Sequence, residues 1–397
     1  MVTIFVKRED CCGCTACFSV CPKLAITMKP DQEGFLYPHI DYGLCVECGL
    51  CQKVCAFQNG YETLDNFSEP EVYAIKHKTE EIRAVSTSGG MFTALTDEIL
   101  AWGGVVYGVG YDDNMVVYHQ RAEDADQRNT LRGSKYVQSE MRQTFSALKK
   151  DLRAGRRVLF TGTPCQVAGL RDYLYQSGAD ISNLILCDIV CHGTPSPLIF
   201  AEYLKVCEAK RGKKIVNHFC RSKVEGWHAH VEMNVFSDGQ EDYKSFLSQL
   251  YKKIFQSHIA YRPACHNCKY TNLRRPSDIT IADFWGVDQT LPEVDDNKGV
   301  SLVLINSGKG KKIFEKICSR VLYIRSNAAA CLQPNLEKPT QPSPKRDEFW
   351  QNYKTYGFAY VIKKYFGYGV KGDIRRLISK ILRNTGLLPT VKKVLGK

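Results

Sequence analysis

Two runs of four cysteines constrain this chain more than any other feature. Cys11, Cys14, Cys17 and Cys21 follow the spacing C-x2-C-x2-C-x3-C with Pro22 next, and Cys45, Cys48, Cys51 and Cys55 repeat it. Three thiolates this close in sequence wrap one corner of a 4Fe-4S cubane, and the fourth of each run reaches across to the other cluster. The spacing therefore assigns Cys11, Cys14, Cys17 and Cys55 to one cluster, and Cys45, Cys48, Cys51 and Cys21 to a second. Zinc knuckles or a disulfide scaffold do not predict two identical runs. The second run departs once, with Ala56 where the pattern has Pro, which alters a turn and no ligand. Cys12 is extra and reads as a packed thiol.

The pattern is of the bacterial ferredoxin type and implies a small α+β domain over residues 1–60 carrying two 4Fe-4S clusters. It ends in the polar, turn-rich FQNGYETLDNFSEPE. From EVYAIKHK onward apolar runs alternate with helical periodicity, the texture of an α/β body with a mixed sheet. Candidate strands are Val72 to Ile75, Val105 to Val109, Val158 to Thr161, Leu184 to Val190, Ile279 to Ala282 and Leu302 to Ile305. Candidate helices are Gly90 to Ala101, Met141 to Ala154, Pro164 to Tyr175, Pro197 to Lys210 and Lys309 to Ser319. A loose boundary near Gly212 divides the body into residues 70–211 and 212–335, and a basic tail, 345–397, follows a Pro-rich stretch.

At 397 residues the chain can bury a full core without staples, so its eighteen cysteines are not explained by size. The amino end, MVTIFVKRED, shows neither the apolar region nor the cleavage site of a secretory signal; the expected setting is a reducing cytoplasm, without disulfides. No apolar run approaches the roughly eighteen residues of a spanning helix. The net charge is +12, but the stretch from Val361 to Lys397 holds ten Lys or Arg against one acid, Asp373, and so carries +9. The rest is nearly balanced and shows no basic and aromatic interleaving, which argues against nucleic acid as a partner. In DIRRLISKILRN, Ile374, Leu377, Ile378, Ile381 and Leu382 share one helical face, with Arg375, Arg376, Lys380 and Arg383 around the rest. Two readings stay open: a helix lying on an anionic membrane surface at its inner face, or one docked on its own domain.

A further CxxC, Cys265 and Cys268 in RPACHNCKY, cannot close a four-ligand site alone. Cys187 sits in the apolar run LILCDIV, and Cys207 and Cys318 lie in helices, where a thiol is an ordinary small hydrophobe. Cys220 and Cys331 lie in uninformative surroundings. Cys165 in FTGTPCQ and Cys191 in DIVCHGTP each fall just past the carboxyl end of a candidate strand, where ligands gather in open α/β sheets. Those two can complete the set. Spacing alone leaves zinc open as the metal. It also leaves open Cys165 as a nucleophile with His192 as its base. His192 is the first candidate for a proton donor, against a plain turn histidine.

From about Val72 to Ile305 the chain resembles the coenzyme F420 hydrogenase/dehydrogenase beta subunits, a family of iron-sulfur flavoproteins. The resemblance is carried in order by STSGGMFTAL, LRGSKYVQS, TGTPCQVAGLR, DIVCHGTPSP, CHNCKY with SDITIADFWG, and DDNKGVSLVLINS. It implies a flavin, FAD in most members, and a third 4Fe-4S cluster held by Cys165, Cys191, Cys265 and Cys268. Ala282 departs from the pattern, where related sequences often have Gly. Ser, Thr and Gly before a helix are most often an N-cap, but with the resemblance STSGG becomes a phosphate-facing turn. The implied flavin contacts are then Thr87, Ser88, Gly89 and Gly90 with Gly133, Ser134, Lys135 and Tyr136. A literal G-x-G-x-x-G at Gly367, Gly369 and Gly372 follows no strand and is set aside.

The expected function is a ferredoxin-fused iron-sulfur oxidoreductase taking electrons from a ferredoxin-type donor to a flavin that reduces a small-molecule or a lipid- or glycan-linked substrate. The alternatives are an electron-transfer subunit of a larger redox complex, and a metal-stabilised binding protein without flavin.

Overall fold

The computed structural model describes residues 2–61, 66–369 and 372. The amino-terminal segment pairs β1 (Ile26–Pro30) with β2 (Leu36–Ile40) as an antiparallel hairpin, Ile26 opposite Ile40. Short helices Ala16–Val20 and Leu50–Lys53 flank it, one in each cysteine run. The body is an eight-stranded mixed sheet built from β3 (Asn66–His77), β4 (Val105–Tyr111), β5 (Val117–Ala122), β6 (Val158–Gly162), β7 (Leu184–Ile189), and strands beyond Gly212. A separate three-stranded antiparallel sheet holds β8 (Ile215–Ser222), β9 (Val231–Phe236) and β10 (Glu241–Asp242). The large sheet is completed by β11 (Ile279–Asp283), β12 (Ser301–Ser307) and β13 (Val321–Ser326), in the order β13-β3-β12-β11-β7-β6-β4-β5.

Strands β4, β6, β7 and β11 run parallel to one another in the centre of the sheet, and the outer pairings are antiparallel. Val158, Leu159 and Phe160 of β6 are wholly buried, as a strand covered on both faces requires. Each such side chain contributes about 2–3 kcal/mol of burial. All six expected strands and all five expected helices occur, with ends shifted by a few residues. The sheet draws strands from both sides of Gly212, so that boundary does not separate two sheets.

Both ends of the described chain pack on the body. In the cysteine-rich segment, Cys12, Cys14, Ala16, Val54, Ala56 and Phe57 share one core with residues of β6 and the helix Pro164–Gln176. Helices Arg346–Tyr356 and Phe358–Phe366 bury Phe349, Trp350, Phe358, Val361 and Ile362 in a core shared with the helix Pro197–Arg211. Apolar residues at helical spacing outweighed the basic composition there. The amphipathic stretch Ile374 to Arg383 lies outside the described residues. Among the described residues no helix is long and apolar enough to cross a membrane.

Candidate metal centres

The amino-terminal fold sorts eight cysteines into two sets. Cys21, Cys45, Cys48 and Cys51 line one cavity, and Cys11, Cys14, Cys17 and Cys55 line another. Each run thus contributes three thiols to one cavity and its fourth to the other, the crossing that the spacing implies. Tight left-handed turns at Gly13, Thr15 and Gly49 fold the runs around these spaces.

A third cavity is built by the body. Parallel pairing of β6 and β7 sets Gly162 opposite Asp188, so the chain leaves both strands at one sheet edge. β6 passes through Thr163, which caps the helix Pro164–Gln176 in a capping box with Gln166, and Cys165 follows in its first turn. β7 passes through Val190 to Cys191. The 3-10 turn Pro263–Asn267 brings Cys265, and Cys268 follows it. That turn is fastened from below: Arg262 N donates to Thr194 O at 3.0 Å, and Arg275 donates to Tyr270 O at 2.6 Å and Ile189 O at 3.0 Å. Cys165, Cys191, Cys265 and Cys268 therefore line one space. It has about 560 Å³ free of atoms, counting the part open to solvent, against about 380 and 350 Å³ in the first two.

Burial and mutual proximity both act on these four thiols. Burial raises Cys191, Cys265 and Cys268, the last to about 12, and repulsion from neighbouring thiols of the set raises each of these three further. Cys165 goes the other way, down to about 7, chiefly through a hydrogen bond from the Cys12 thiol. Thr163 Oγ1 lies 3.3 Å from Cys165 Sγ, and the Thr194 N–H donates to Cys265 Sγ at 3.4 Å. A bare set of converging thiolates repels itself, and a metal group removes that repulsion.

Cys12 walls both the second and the third cavity. It is a packed thiol, outside all three sets of four, and it is held protonated by its hydrogen bonds to Cys14 and Cys165. Beside it Arg262, almost completely buried, donates Nε to Cys11 O at 2.7 Å, Nη1 to Gln138 Oε1 at 2.9 Å and Nη2 to Cys11 Sγ at 3.6 Å. Sequence reasoning missed Arg262, Gln138 and Arg275. Arg262 and Gln138 become informative only when residues more than a hundred positions apart meet, and Arg275 only when its loop reaches β7.

The two segments that hold the implied flavin contacts meet at one point. Ser134 N–H donates to Thr87 Oγ1 at 3.1 Å, which joins the two segments. Two of the glycines and the lysine have other tasks, however. A Cβ on Gly89 would stand 2.1 Å from Ile75 O, and one on Gly90 would meet His77 Cβ at 2.9 Å, so close packing on β3 requires both. Lys135 Nζ donates to Arg132 O at 2.7 Å, and burial lowers it to about 7. Tyr136 stacks on Phe255 at 4.2 Å. Thr87, Ser88, Gly133, Ser134 and the half-buried Arg132 remain partly open to solvent, and His77 Nε2 beside Gly90 is buried without a hydrogen-bond partner.

Residues 155–328 match the model for the C terminus of the coenzyme F420 hydrogenase/dehydrogenase beta subunit, and residues 10–59 match the 4Fe-4S dicluster domain. The chain thus joins a 4Fe-4S dicluster domain to a domain that matches the C terminus of these beta subunits. The eight amino-terminal cysteines of this beta-subunit homologue lie inside the second match and Cys165, Cys191, Cys265 and Cys268 inside the first. The F420H2 dehydrogenase of Methanosarcina mazei has a subunit, designated F, that is 23% identical over 330 residues, 79% of this chain and 83% of that protein. An uncharacterized ferredoxin of Methanocaldococcus jannaschii is 39% identical over 54 residues, 14% of this chain and 69% of its own length. A chain of the F420-reducing [NiFe] hydrogenase complex from Methanosarcina barkeri is 18% identical with a TM-score of 0.46, covering 73% of this chain and 89% of that one. The protein is an iron-sulfur, electron-transferring relative of the F420 dehydrogenase subunits.

The other cysteines are packing residues in the main. Cys187, Cys207 and Cys331 are buried in apolar clusters, and Cys318 donates to Phe314 O at 3.2 Å at the end of its helix. His192 lines the third cavity with its Nδ1 3.4 Å from Tyr261 Oη, and burial lowers its basicity.

Proposed function

We propose that the protein is an iron-sulfur flavoprotein oxidoreductase in which two amino-terminal 4Fe-4S clusters and a third, on Cys165, Cys191, Cys265 and Cys268, lead electrons to a flavin that reduces an organic substrate. The observation that carries this reading is the wall that Cys12 shares between the second and third cavities. One side chain separates them, and a shared wall is what an electron path needs. Four sulfur donors in a largely buried space fit an iron-sulfur cubane by donor chemistry.

The chain's own residues order the path. Cys48 is exposed, and Tyr42, Leu44 and Val46 beside it are exposed apolar groups, which makes the outer cavity the face offered to a ferredoxin-type donor. Arg262 neutralises charge between the inner cavities, and Arg275 holds the Cys268 loop on β7. Thr87, Ser88, Gly133, Ser134 and Arg132 would hold the flavin's phosphates. When bound, a flavin supplies the conversion of single electrons into a two-electron reduction.

Anaerobic purification followed by flavin analysis tests the reading. One flavin per chain is expected, and Thr87→Phe should lower its occupancy with iron unchanged. A chain without flavin after incubation with FAD and with FMN contradicts it. The Methanosarcina mazei relative, itself part of a dehydrogenase, favours a second reading, an electron-transfer subunit without its own substrate. An isolated, flavin-loaded chain that reduces only artificial dyes supports that one.

A further inference from the structure

Strands β8 and β9 carry a polar group that neither the cysteine cavities nor the flavin reading uses. Antiparallel pairing sets His218 opposite Asn234. The two-residue period of a strand turns Cys220 to the face of His218, and Glu232 to the face of Asn234. All four are buried, and the side chains of His218 and Glu232 have no exposure at all. One donor atom each from His218, Cys220 and Glu232 lies within 4.8 Å of the other two.

The surrounding hydrogen bonds decide which atoms face inward. Tyr203 Oη donates to Ser248 O at 3.5 Å and accepts from Asn234 Nδ2 at 2.9 Å. Asn234 Oδ1 is therefore an acceptor, and His218 Nδ1 donates to it at 2.7 Å. That leaves His218 Nε2 as a bare lone pair. Neither Nε2 nor Glu232 Oε1 has a hydrogen-bond partner, although they stand 3.9 Å apart in a fully buried space. Glu232 Oε2 is already taken by the Lys252 N–H at 2.6 Å, and Cys220 Sγ accepts the Tyr136 N–H at 3.3 Å. Three electron-pair donors thus converge, and a buried nitrogen and oxygen without partners are costly to leave so.

We propose that His218 Nε2, Cys220 Sγ and Glu232 Oε1 bind one zinc ion. Mixed nitrogen, sulfur and oxygen donors suit zinc, whereas calcium and magnesium take oxygen. A thiolate and a carboxylate balance its two charges, so the buried site carries no net charge. An imidazole fixed through Nδ1–H by an outer oxygen is how metal-ligating histidines are oriented. The ion ties β8 to β9 and, through the Cys220 bond to Tyr136 N–H, anchors the Gly133–Tyr136 segment.

Zinc K-edge absorption on the anaerobically purified full chain, incubated with Zn²⁺ and desalted, tests the proposal, because that edge is blind to iron. The expected result is one zinc with one sulfur at about 2.3 Å and the remaining ligands nitrogen or oxygen at about 2.0–2.1 Å. A four-sulfur shell would put zinc among Cys165, Cys191, Cys265 and Cys268 and overturns the proposal. A chain that takes up no zinc, as when water fills the space, overturns it as well. Cys220→Ser and His218→Gln should each lose the zinc while iron content stays the same; zinc retained in both variants contradicts the assignment.

Discussion

Arg262 Nη2 lies 3.6 Å from Cys11 Sγ, and the residue that carries it is 1% exposed. A permanent cation and an N–H donor at a ligand sulfur both favour the reduced, more negative cluster. Arg262→Gln is expected to lower the reduction potential of the cluster on Cys11, with Arg262→Lys in between. A redox titration followed by electron paramagnetic resonance checks this. The Gln variant also leaves Cys11 O and Leu36 O without their donor, which costs about 3 kcal/mol.

Gly169 sits inside the helix Pro164–Gln176, where Ala is ordinarily better by about 1 kcal/mol. Here a Cβ would stand 2.6 Å from Cys14 Sγ and 2.9 Å from Cys14 Cβ. The contact outweighs the propensity, because the ligand cannot retreat without leaving its set. Gly169→Ala should lose iron from the Cys11, Cys14, Cys17 and Cys55 cavity, measured as iron per chain and as a missing resonance.

Leu44 and Val46 are exposed beside the outer cavity. Changing both to Glu removes an apolar contact and adds like charge against an acidic donor. Reduction by a ferredoxin should slow by about tenfold or more. Reduction by dithionite and the iron content should not change. Stopped-flow traces with the two reductants separate the cases.

His119 is buried between Ser139 and Thr161, stacked on Phe160, and burial lowers it to about 4. Its ordinary value is 6.5, so between those values the unfolded chain binds a proton that the folded chain refuses, and stability falls as pH drops. The loss amounts to about 3 kcal/mol across that window and is absent above about pH 6.5. His230, lowered likewise to about 4, adds to the slope. His119→Gln should make denaturant stability less steep in pH over that range, whatever its absolute value.

The parts legible in the sequence are those with local signals. Two identical cysteine runs defined two cavities, and Cys165 and Cys191 declared themselves by following apolar strands into Gly, Thr and Pro turns. β5 escaped notice because His119 and Gln120 break the apolar run, although His119 is buried. β13 pairs at the sheet edge with Leu322, Tyr323 and Ile324 exposed, which hides any alternation. Cys12 was visible only as a surplus thiol, since its place between Cys14 and Cys165 depends on a contact across about 150 residues. Lys135 is an implied flavin contact in the sequence, which does not show that its own loop carbonyls occupy it.

Iron counting in paired variants tests the third cluster most directly. The full chain, purified without oxygen, should hold about twelve irons, four for each cluster. Cys268→Ser should hold about eight, since a cubane left with three thiolates is labile, and the amino-terminal resonances should persist. Cys187→Ser, which alters a thiol in the apolar core of the sheet, should keep about twelve. About eight irons in the unaltered chain, or unchanged iron in Cys268→Ser, would contradict a third cluster on Cys165, Cys191, Cys265 and Cys268.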